Sequence, residues 1–340
     1  MYLLILNSGL LLTKGDASLK HPYLIDLNDE DNWLNPQVLK RPDGSKGEDQ
    51  RTIAIGEGVH RLFCVTDSIM YPGDPKNVHF HEHHEGYEYF FVDSGGMDLY
   101  ADGMKAYVGP GNIIFFQPYQ GHGMTFREPT KYRGFFHDMK NSDTALERAI
   151  LRKNRPGVVD MPDYFARFVT SQHDTVMREP FECADVPAEE MRAVRNIARP
   201  LEEFKLSGVT MKMITARWEN GGVNEMWAAV MEPGFRAEWV EFPTEKEMYY
   251  ITEGEIKFKV YDEEFTAYPE CVVRIPIFAS HSVKAVKKSV MYDIGGLTRW
   301  QALLQDRSAI LKDPERAKDP AVMESLKAKY GCQIKSFGIG

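Results

Sequence analysis

The chain alternates between strand-like and helix-like patterns of hydrophobic and polar residues. Short apolar runs with a period of two, closed by Gly, Pro or Asp, fill residues 51–140 and return at 209–298. Many short strands at this spacing are typical of an all-β sandwich or barrel. Between the two β regions, and again after residue 298, the pattern is helical. We therefore predict two β-rich domains joined by a helical connection and followed by a helical tail.

The predicted boundaries divide the chain into five segments. These are an N-terminal strand with an extended polar arm, a first barrel, a helical connection, a second barrel and a helical tail, at residues 1–50, 51–140, 141–205, 206–298 and 299–340. In the connection, the pattern is helical at Asp143–Lys153 and Asp163–Val169. A third helix is predicted to begin at the N-cap Asp185, with Pro187 in its first turn, and to end before Pro200. The last helix of the tail is predicted to begin at Asp319-Pro320 and to end at Gly331.

Residues 79–95, HFHEHHEGYEYFFVDSG, concentrate the candidate chemistry. His81 and His83 are two apart, so on a strand both side chains point to the same face. Glu88 opens an aromatic and β-branched run that predicts a strand, and Gly95 supplies a turn. Because imidazole and carboxylate are the usual ligands of divalent first-row metals, this spacing predicts a metal site. A solvated polar loop is the alternative interpretation.

A second stretch, GPGNIIFFQPYQGH, ends at His122 and follows after a short gap. The two stretches resemble the cupin motifs G-x5-H-x-H-x3-4-E-x6-G and G-x5-P-x-G-x2-H. His81, His83, Glu88 and Gly95 match the core of the first motif. His122 has the spacing of the second. The resemblance departs from the motifs in the leading glycine, which lies eight residues before His81, and in a proline displaced by one position.

A rival register exists in the same stretch. His79, His81 and Glu85 also satisfy H-x-H-x3-E, but the residue seven positions beyond Glu85 is Val92. That register lacks the turn glycine, and we therefore prefer the ligand set that contains His83.

The second β region repeats the first at a fixed offset along the chain. Glu88 corresponds to Glu247, and His122 corresponds to His281, so that both halves keep the same Glu-to-His separation. Self-similarity of this kind indicates two copies of one fold. The resemblance therefore becomes one to a bicupin, an all-β-dominated chain with two tandem cupin (double-stranded β-helix, or jelly-roll) barrels.

The second copy is predicted to be degenerate. The first two histidine ligands correspond to Val240 and Phe242, which leaves only Glu247 and His281. Two ligands hold a divalent metal poorly. We expect a hydrogen-bonded pair there, although Glu238 or Glu245 nearby offers a compensating ligand.

The resemblance implies a single site that holds one divalent transition metal through His81, His83, Glu88 and His122. Nitrogen and oxygen donors accept Fe, Mn, Co, Ni, Cu or Zn, so the ligand types do not select among them. Three residues are candidates for proton transfer: Glu88 itself, and Glu85 and His79 beside it. For the latter two, a solvated or outer-shell role is the alternative.

Quercetinase-like bicupins are the closest functional resemblance, because they share H-x-H-x4-E-x6-G and some have one degenerate barrel. The resemblance implies a dioxygenase acting on a small phenolic or enolic substrate. A non-oxidative isomerase, lyase or decarboxylase is the second hypothesis, and a small-molecule-binding protein without turnover is the third.

Composition narrows the choice of partners. The formal net charge is −9, and no cluster of Lys and Arg stands out along the sequence, which argues against nucleic acid or an anionic membrane as partner. The four scattered cysteines, with no signal-peptide pattern, indicate reduced thiols and a cytoplasmic location. No apolar stretch approaches the length of a membrane span. By resemblance to bicupins we expect a homodimer that acts on a small-molecule substrate.

Overall fold

A computed structural model of the chain contains two compact units. Asp29–Asn196 belongs to the first, whereas Lys20–Asn28 and Ile197–Gly340 belong to the second. The structure describes residues 21–33, 49–56, 62–73, 80–84, 87–137, 154, 157, 175–219, 225–240, 247–276, 279–295, 300–331 and 333–339.

The described elements are predominantly strands. Those up to residue 196 are β1 (Leu24–Asp26), β2 (Asp49–Gly56), β3 (Leu62–Met70), β4 (Phe80–His83), β5 (Tyr87–Ser94), β6 (Met97–Ala101), β7 (Met104–Val108), β8 (Ile113–Phe116), β9 (His122–Phe126), β10 (Thr130–His137), β11 (Thr175–Arg178), β12 (Ala184–Asp185) and β13 (Val194–Arg195). Those after it are β14 (Glu202–Leu206), β15 (Val209–Thr215), β16 (Met226–Met231), β17 (Phe235–Val240), β18 (Glu247–Glu253), β19 (Ile256–Val260), β20 (Glu263–Ala267), β21 (Cys271–Ile275), β22 (Ser280–Ala285), β23 (Ser289–Asp293), helices α1 (Trp300–Leu311), α2 (Pro314–Lys318) and α3 (Pro320–Tyr330), and β24 (Gln333–Ile339). Short 3-10 turns are found at Glu30–Asn32, Ala188–Glu190 and Arg217–Glu219.

Each unit is a barrel of two sheets around one apolar core. The first barrel has the strand orders β13-β8-β5-β10-β3-β2 and β11-β4-β9-β6-β7-β12. Phe90 and Phe116 from the former sheet share a core with Leu99 and Phe126 from the latter. Phe91, next to Phe90 on the same strand, is buried outside this cluster and packs against Phe135. Successive aromatic residues of β5 therefore pack on opposite faces of the sheet.

The second barrel reproduces the topology of the first. Its sheets are β1-β21-β18-β23-β16-β15-β14 and β20-β19-β22-β17-β24. At the offset that carries Glu88 to Glu247, β6 and β7 coincide with β19 and β20. The orders β8-β5-β10-β3-β2 and β4-β9-β6-β7 recur as β21-β18-β23-β16-β15 and β17-β22-β19-β20. The internal repeat predicted from sequence is confirmed as a tandem-barrel fold.

Segments outside the repeat complete both barrels, and here the sequence prediction needs correction. The helix predicted from Asp185 is absent: β12 ends at Asp185, and a single 3-10 turn over Ala188–Glu190 is followed by β13. Burial overrides the helix start signals, because Met191 and Val194 enter the core of the first barrel. The described part of the predicted helical connection thus supplies strands β11, β12 and β13. The two helices predicted at 143–153 and 163–169 lie outside the described residues.

The two ends of the chain also differ from the prediction of an arm and a wholly helical tail. In the predicted arm, β1 pairs antiparallel with β21 of the second barrel, with Leu24 opposite Val273. The strand predicted at 1–13 lies outside the described residues. Helix α3 begins after the N-cap Asp319 and ends at Gly331 in the left-handed conformation, as predicted. The chain then returns as β24 to pair with β17. None of the helices in the described ranges combines the length and apolar character needed to cross a membrane.

The close packing of the turn that follows β5 can be tested by substitution of its glycine. Gly95 and Gly103 share the same left-handed φ of 73°. A Cβ atom on Gly95 would lie 2.3 Å from the carbonyl oxygen of Pro129, whereas nothing lies within 4 Å of one on Gly103. Gly103→Ala carries only the backbone strain of about 1 kcal/mol, and Gly95→Ala adds a steric clash of about 2 kcal/mol. Urea unfolding of the two variants checks this difference, and equal losses of stability would contradict it.

Candidate metal centre

Four side chains from three strands meet inside the first barrel. His81 and His83 lie on β4, Glu88 lies at the start of β5, and His122 is the first residue of β9. Strands β4 and β9 are paired so that His81 is directly opposite His122. The period of two along β4 turns both of its histidines inward, as the sequence predicts. The four side chains are buried, with no more than 6% of any residue exposed.

The ligand atoms of these residues form one compact cluster. They all lie within 4.8 Å of one another. The Nε2 atoms of His81 and His83 are 3.2 Å apart. The carboxylate of Glu88 lies between two imidazoles, with Oε1 3.4 Å from Nε2 of His83 and Oε2 3.5 Å from Nε2 of His122. It is the only group of three or more potential metal ligands found among the described residues.

The orientation of His122 is fixed by groups around it. Its Nδ1 lies 2.9 Å from the carbonyl oxygen of Gln120, so this nitrogen carries the proton and donates. The other ring nitrogen, Nε2, is buried, faces the carboxylate of Glu88 at 3.5 Å and meets no hydrogen-bond criterion with any described residue. The ring of Phe116 stacks on the imidazole at a centroid distance of 3.7 Å. A hydrogen bond from the second ring nitrogen to a carbonyl is the usual outer-shell arrangement of a metal-ligating histidine.

The turn that contains Gln120 is held in place by hydrogen bonds of the Gln120 side chain. The side chain of Gln120 donates from Nε2 to Asp102 at 2.6 Å and accepts from the backbone N–H of Gln117 at 3.2 Å. Gln120 and Phe116 thus position His122. Sequence reasoning missed the role of Gln120, because a contact made by a backbone carbonyl leaves no signature in residue type.

Charge on Glu88 is maintained despite its burial. Burial alone raises the pKa of a carboxyl group, but the adjacent His83 and His122 outweigh this and hold the pKa of Glu88 far below its ordinary value. The group is therefore a carboxylate at any physiological pH. An ionised carboxylate in a buried site is stabilised by a positive partner, which a divalent cation provides.

The donor set fits a divalent transition metal. Neighbouring donors on one ion at about 2.1 Å lie about 3 Å apart, close to the separations of 3.2–3.5 Å seen here. Three imidazole nitrogens and one carboxylate oxygen suit any of the ions named above. The structure brings together the ligands of the preferred register, whereas the rival register includes His79 and Glu85, which lie outside the described residues.

The other polar residues of the motif have different positions. His79 and Glu85, the predicted proton-transfer candidates, lie outside the described residues. His84 is turned to Glu82, with Nε2 2.9 Å from Oε1, and the same oxygen accepts from Nη2 of Arg178 at 2.5 Å. The Arg178 hydrogen bond lowers the pKa of Glu82. Arg178 belongs to β11, and no sequence signal links it to the motif.

Aromatic residues beside the motifs do not all face the cluster. Tyr87 and Tyr89 alternate with Glu88 along β5 and therefore occupy the opposite face of the strand. Tyr119 is 68% exposed and stacks on His84. Phe116 is the aromatic residue that contacts a ligand directly.

The second barrel retains a buried pair where the first has its cluster. Nε2 of His281 lies 3.3 Å from Oε2 of Glu247, and Nδ1 of His281 lies 3.0 Å from the carbonyl oxygen of Ala279. The same Oε2 of Glu247 accepts a hydrogen bond from the hydroxyl of Tyr249. Tyr249 corresponds to Phe90 of the first barrel, so the hydroxyl is an addition of the second copy. A phenol thus contacts the carboxylate oxygen that faces histidine ligands in the first barrel.

Asp293, also in the second barrel, gives a pH-dependent prediction. Burial raises the pKa of Asp293 well above its usual range, and the charge of Glu247 adds to the effect. The stability that its protonated form contributes is complete below the unfolded-state pKa of about 3.9 and is lost as the pH rises through the folded-state pKa. Asp293→Asn is therefore expected to match wild type in melting temperature near pH 3.5 and to exceed it by several degrees at pH 8.

Asp306 supplies a control of opposite sign. Burial raises its pKa, but hydrogen bonds from Lys329 and Tyr330 outweigh that and lower it. Asp306→Asn should consequently lower the melting temperature slightly at pH 8, and this loss should shrink as the pH falls through the lowered pKa of Asp306. If the difference in melting temperature between Asp293→Asn and wild type did not change between pH 3.5 and pH 8, the raised pKa of Asp293 would be contradicted.

The two barrels share one strand order, and the first contains a His-x-His-x4-Glu cluster with a distant histidine. The chain thus has a bicupin-like tandem-barrel architecture, with a buried group in the first barrel that can hold one divalent metal.

Comparison with known proteins finds solved structures that have similar folds. No protein-family model and no curated protein sequence matches the chain. Among solved structures, it is similar to a cupin 2 conserved barrel domain protein from Leptotrichia buccalis, at 12% identity and a TM-score of 0.48, over 81% of this chain and 97% of that one. It is also similar to Bacillus subtilis oxalate decarboxylase, a protein with Mn(II) centres, at 15% identity and a TM-score of 0.49, over 92% and 89% of the two chains. The architecture stated above rests on the strand topology and the cluster.

Proposed function

We propose that the protein is a metal-dependent enzyme that acts on a small organic substrate at the cluster of His81, His83, Glu88 and His122. Within that class we propose a dioxygenase of phenolic or enolic compounds. The observation that carries the proposal is the composition of the buried cluster, three imidazoles with a single ionised carboxylate.

Charge balance supports an anionic substrate. Three neutral imidazoles and one carboxylate leave a divalent ion with one uncompensated positive charge in a buried site. Buried charges are stabilised by a partner of opposite sign, and an enolate or phenolate supplies one. When bound, the metal provides Lewis acidity and, if redox-active, electron-transfer capacity.

The residues around the cluster fix the orientation of its side chains and shield them from solvent. Gln120 fixes the protonated nitrogen of His122, and Phe116 covers one face of that ring. Phe90 and Phe116 form part of the apolar core beside the ligands. This apolar surrounding strengthens the attraction between a bound cation and an anionic oxygen of the substrate.

Oxygen consumption tests the proposal. Metal-reconstituted protein is incubated with a panel of phenolic and enolic compounds in an oxygen-electrode cell, with His122→Ala as the matched control. The proposed dioxygenase consumes oxygen together with substrate, and the variant consumes neither. Substrate loss without oxygen uptake would replace the dioxygenase by a non-oxidative isomerase, lyase or decarboxylase. Binding without turnover of any compound would overturn the assignment as an enzyme.

A further inference from the structure

A row of three basic side chains crosses the outer face of the second barrel. Lys257 on β19 lies directly opposite Lys284 on β22, and Lys284 lies opposite Arg236 on β17. All three are exposed. They line a groove of about 590 Å³ on the sheet β20-β19-β22-β17-β24. In sequence they are far apart, which is why no basic cluster stands out along the chain.

Among the described residues the three cations are unpaired, although Glu238 and Glu264 also line the groove. No hydrogen bond or ion pair joins Lys257, Lys284 or Arg236 to any residue in the described ranges, whereas the neighbouring Lys259 has Glu264 directly opposite it. Like charges on directly opposite strand positions destabilise a sheet. A chain with a net charge of −9 nevertheless keeps three cations in line here.

The barrel fold does not impose the pair of opposed lysines, because the first barrel has other residues at these two positions; the counterpart of Arg236 lies outside the described residues. By the correspondence between the two copies, Lys257 and Lys284 take the places of Asp98 and Thr125, which also lie opposite each other. Asp98 is ion-paired with Arg127, whose Nε lies 2.8 Å from Oδ2. The same two strand positions thus hold an ion-paired carboxylate and a threonine in one barrel, and in the other two lysines that pair with no described residue.

We propose that this row binds a small polyanion, a molecule that carries two or three phosphate or carboxylate groups. Opposite residues on antiparallel strands are about 5 Å apart, so the row spans about 10 Å. That span suits adjacent anionic groups on one small molecule, each contacted by one cation. The site lies in the second barrel, and its assignment does not depend on the reaction catalysed in the first.

Titration calorimetry at low salt tests the proposal on the full chain. The probes are sodium tripolyphosphate for the phosphate class and benzene-1,3,5-tricarboxylate for the carboxylate class. We compare wild type with Lys257→Gln/Lys284→Gln and with the control Lys287→Gln/Lys288→Gln, which removes equal charge from exposed positions on the same barrel. Any binding of a probe to the metal centre is common to all three proteins and cancels in the comparison.

The expected result is that Lys257→Gln/Lys284→Gln weakens binding by about tenfold or more while the control pair leaves it unchanged. The probe that binds more tightly identifies the class of ligand. Absence of binding by both probes to wild type, or equal weakening in the two double variants, would overturn the site. Melting temperatures without probe verify folding, and relief of the repulsion between the two lysines should leave that of Lys257→Gln/Lys284→Gln equal to or above wild type.

Discussion

Replacement of His122 by alanine is expected to empty the metal centre and abolish turnover. His122 brings the one donor from β9, and its Nε2 lies 3.5 Å from the carboxylate of Glu88. Loss of an outer-shell partner already costs about 10–100-fold in metal affinity, and loss of a ligand should cost more. Elemental analysis of the purified variant after dialysis measures the effect, and circular dichroism verifies that the barrels are folded.

His84→Ala is the matched control for this experiment. His84 is adjacent to a ligand in sequence, but its imidazole contacts Glu82 and Tyr119. Its loss should leave the metal content unchanged. The same assay tests the register of the motif: His81→Ala should lose the metal and His79→Ala should keep it. The reverse outcome would show that the ligand set is wrong.

Replacement of Arg133 by methionine is expected to destabilise the first barrel by about 3–5 kcal/mol. Arg133 on β10 lies directly opposite Asp67 on β3, and both residues are 2% exposed. Nη2 of Arg133 is 3.6 Å from Oδ1 of Asp67, and its guanidinium lies over the ring of Trp33. Removal of the cation takes a positive charge from beside a buried carboxylate, which is the costly step. Urea unfolding followed by circular dichroism measures the loss.

Two further variants test whether the loss of stability comes from leaving a buried charge unpaired. Lys131→Met removes a more exposed cation that is 3.8 Å from the same carboxylate, and it should cost less than about 1 kcal/mol. In the Arg133→Met/Asp67→Leu double variant both buried charges are gone, so most of the lost stability should return. A small effect of Arg133→Met, or a double variant no better than the single one, would contradict the proposed role of the pair.

The metal ligands could be predicted from sequence because most of the cluster is encoded locally. His81 and His83 share a face through the period of a strand, and Glu88 follows at a fixed distance. Only His122 requires knowledge of strand pairing, and the resemblance to the second cupin motif supplied its assignment. The internal repeat, in which Glu88 corresponds to Glu247, then fixed the second barrel, since a repeated pattern predicts a repeated fold.

Features that depend on tertiary contacts could not be predicted in this way. The residues from Asp185 onward are typical of a helix start. Burial of Met191 and Val194 in the first barrel favours a 3-10 turn and a strand instead. Gln120 acts through a backbone carbonyl. The basic row gathers Arg236, Lys257 and Lys284 from three strands, and only strand register places them together. Each case involves contacts between residues that are distant in sequence.

The central claim is that one barrel of the two holds a metal. Its most direct test is the metal content per chain of untagged protein purified without chelators. We predict about one divalent transition metal per chain. About two per chain would show that the Glu247–His281 pair has gained further ligands, and no metal even after reconstitution would show that the cluster in the first barrel is not a metal centre.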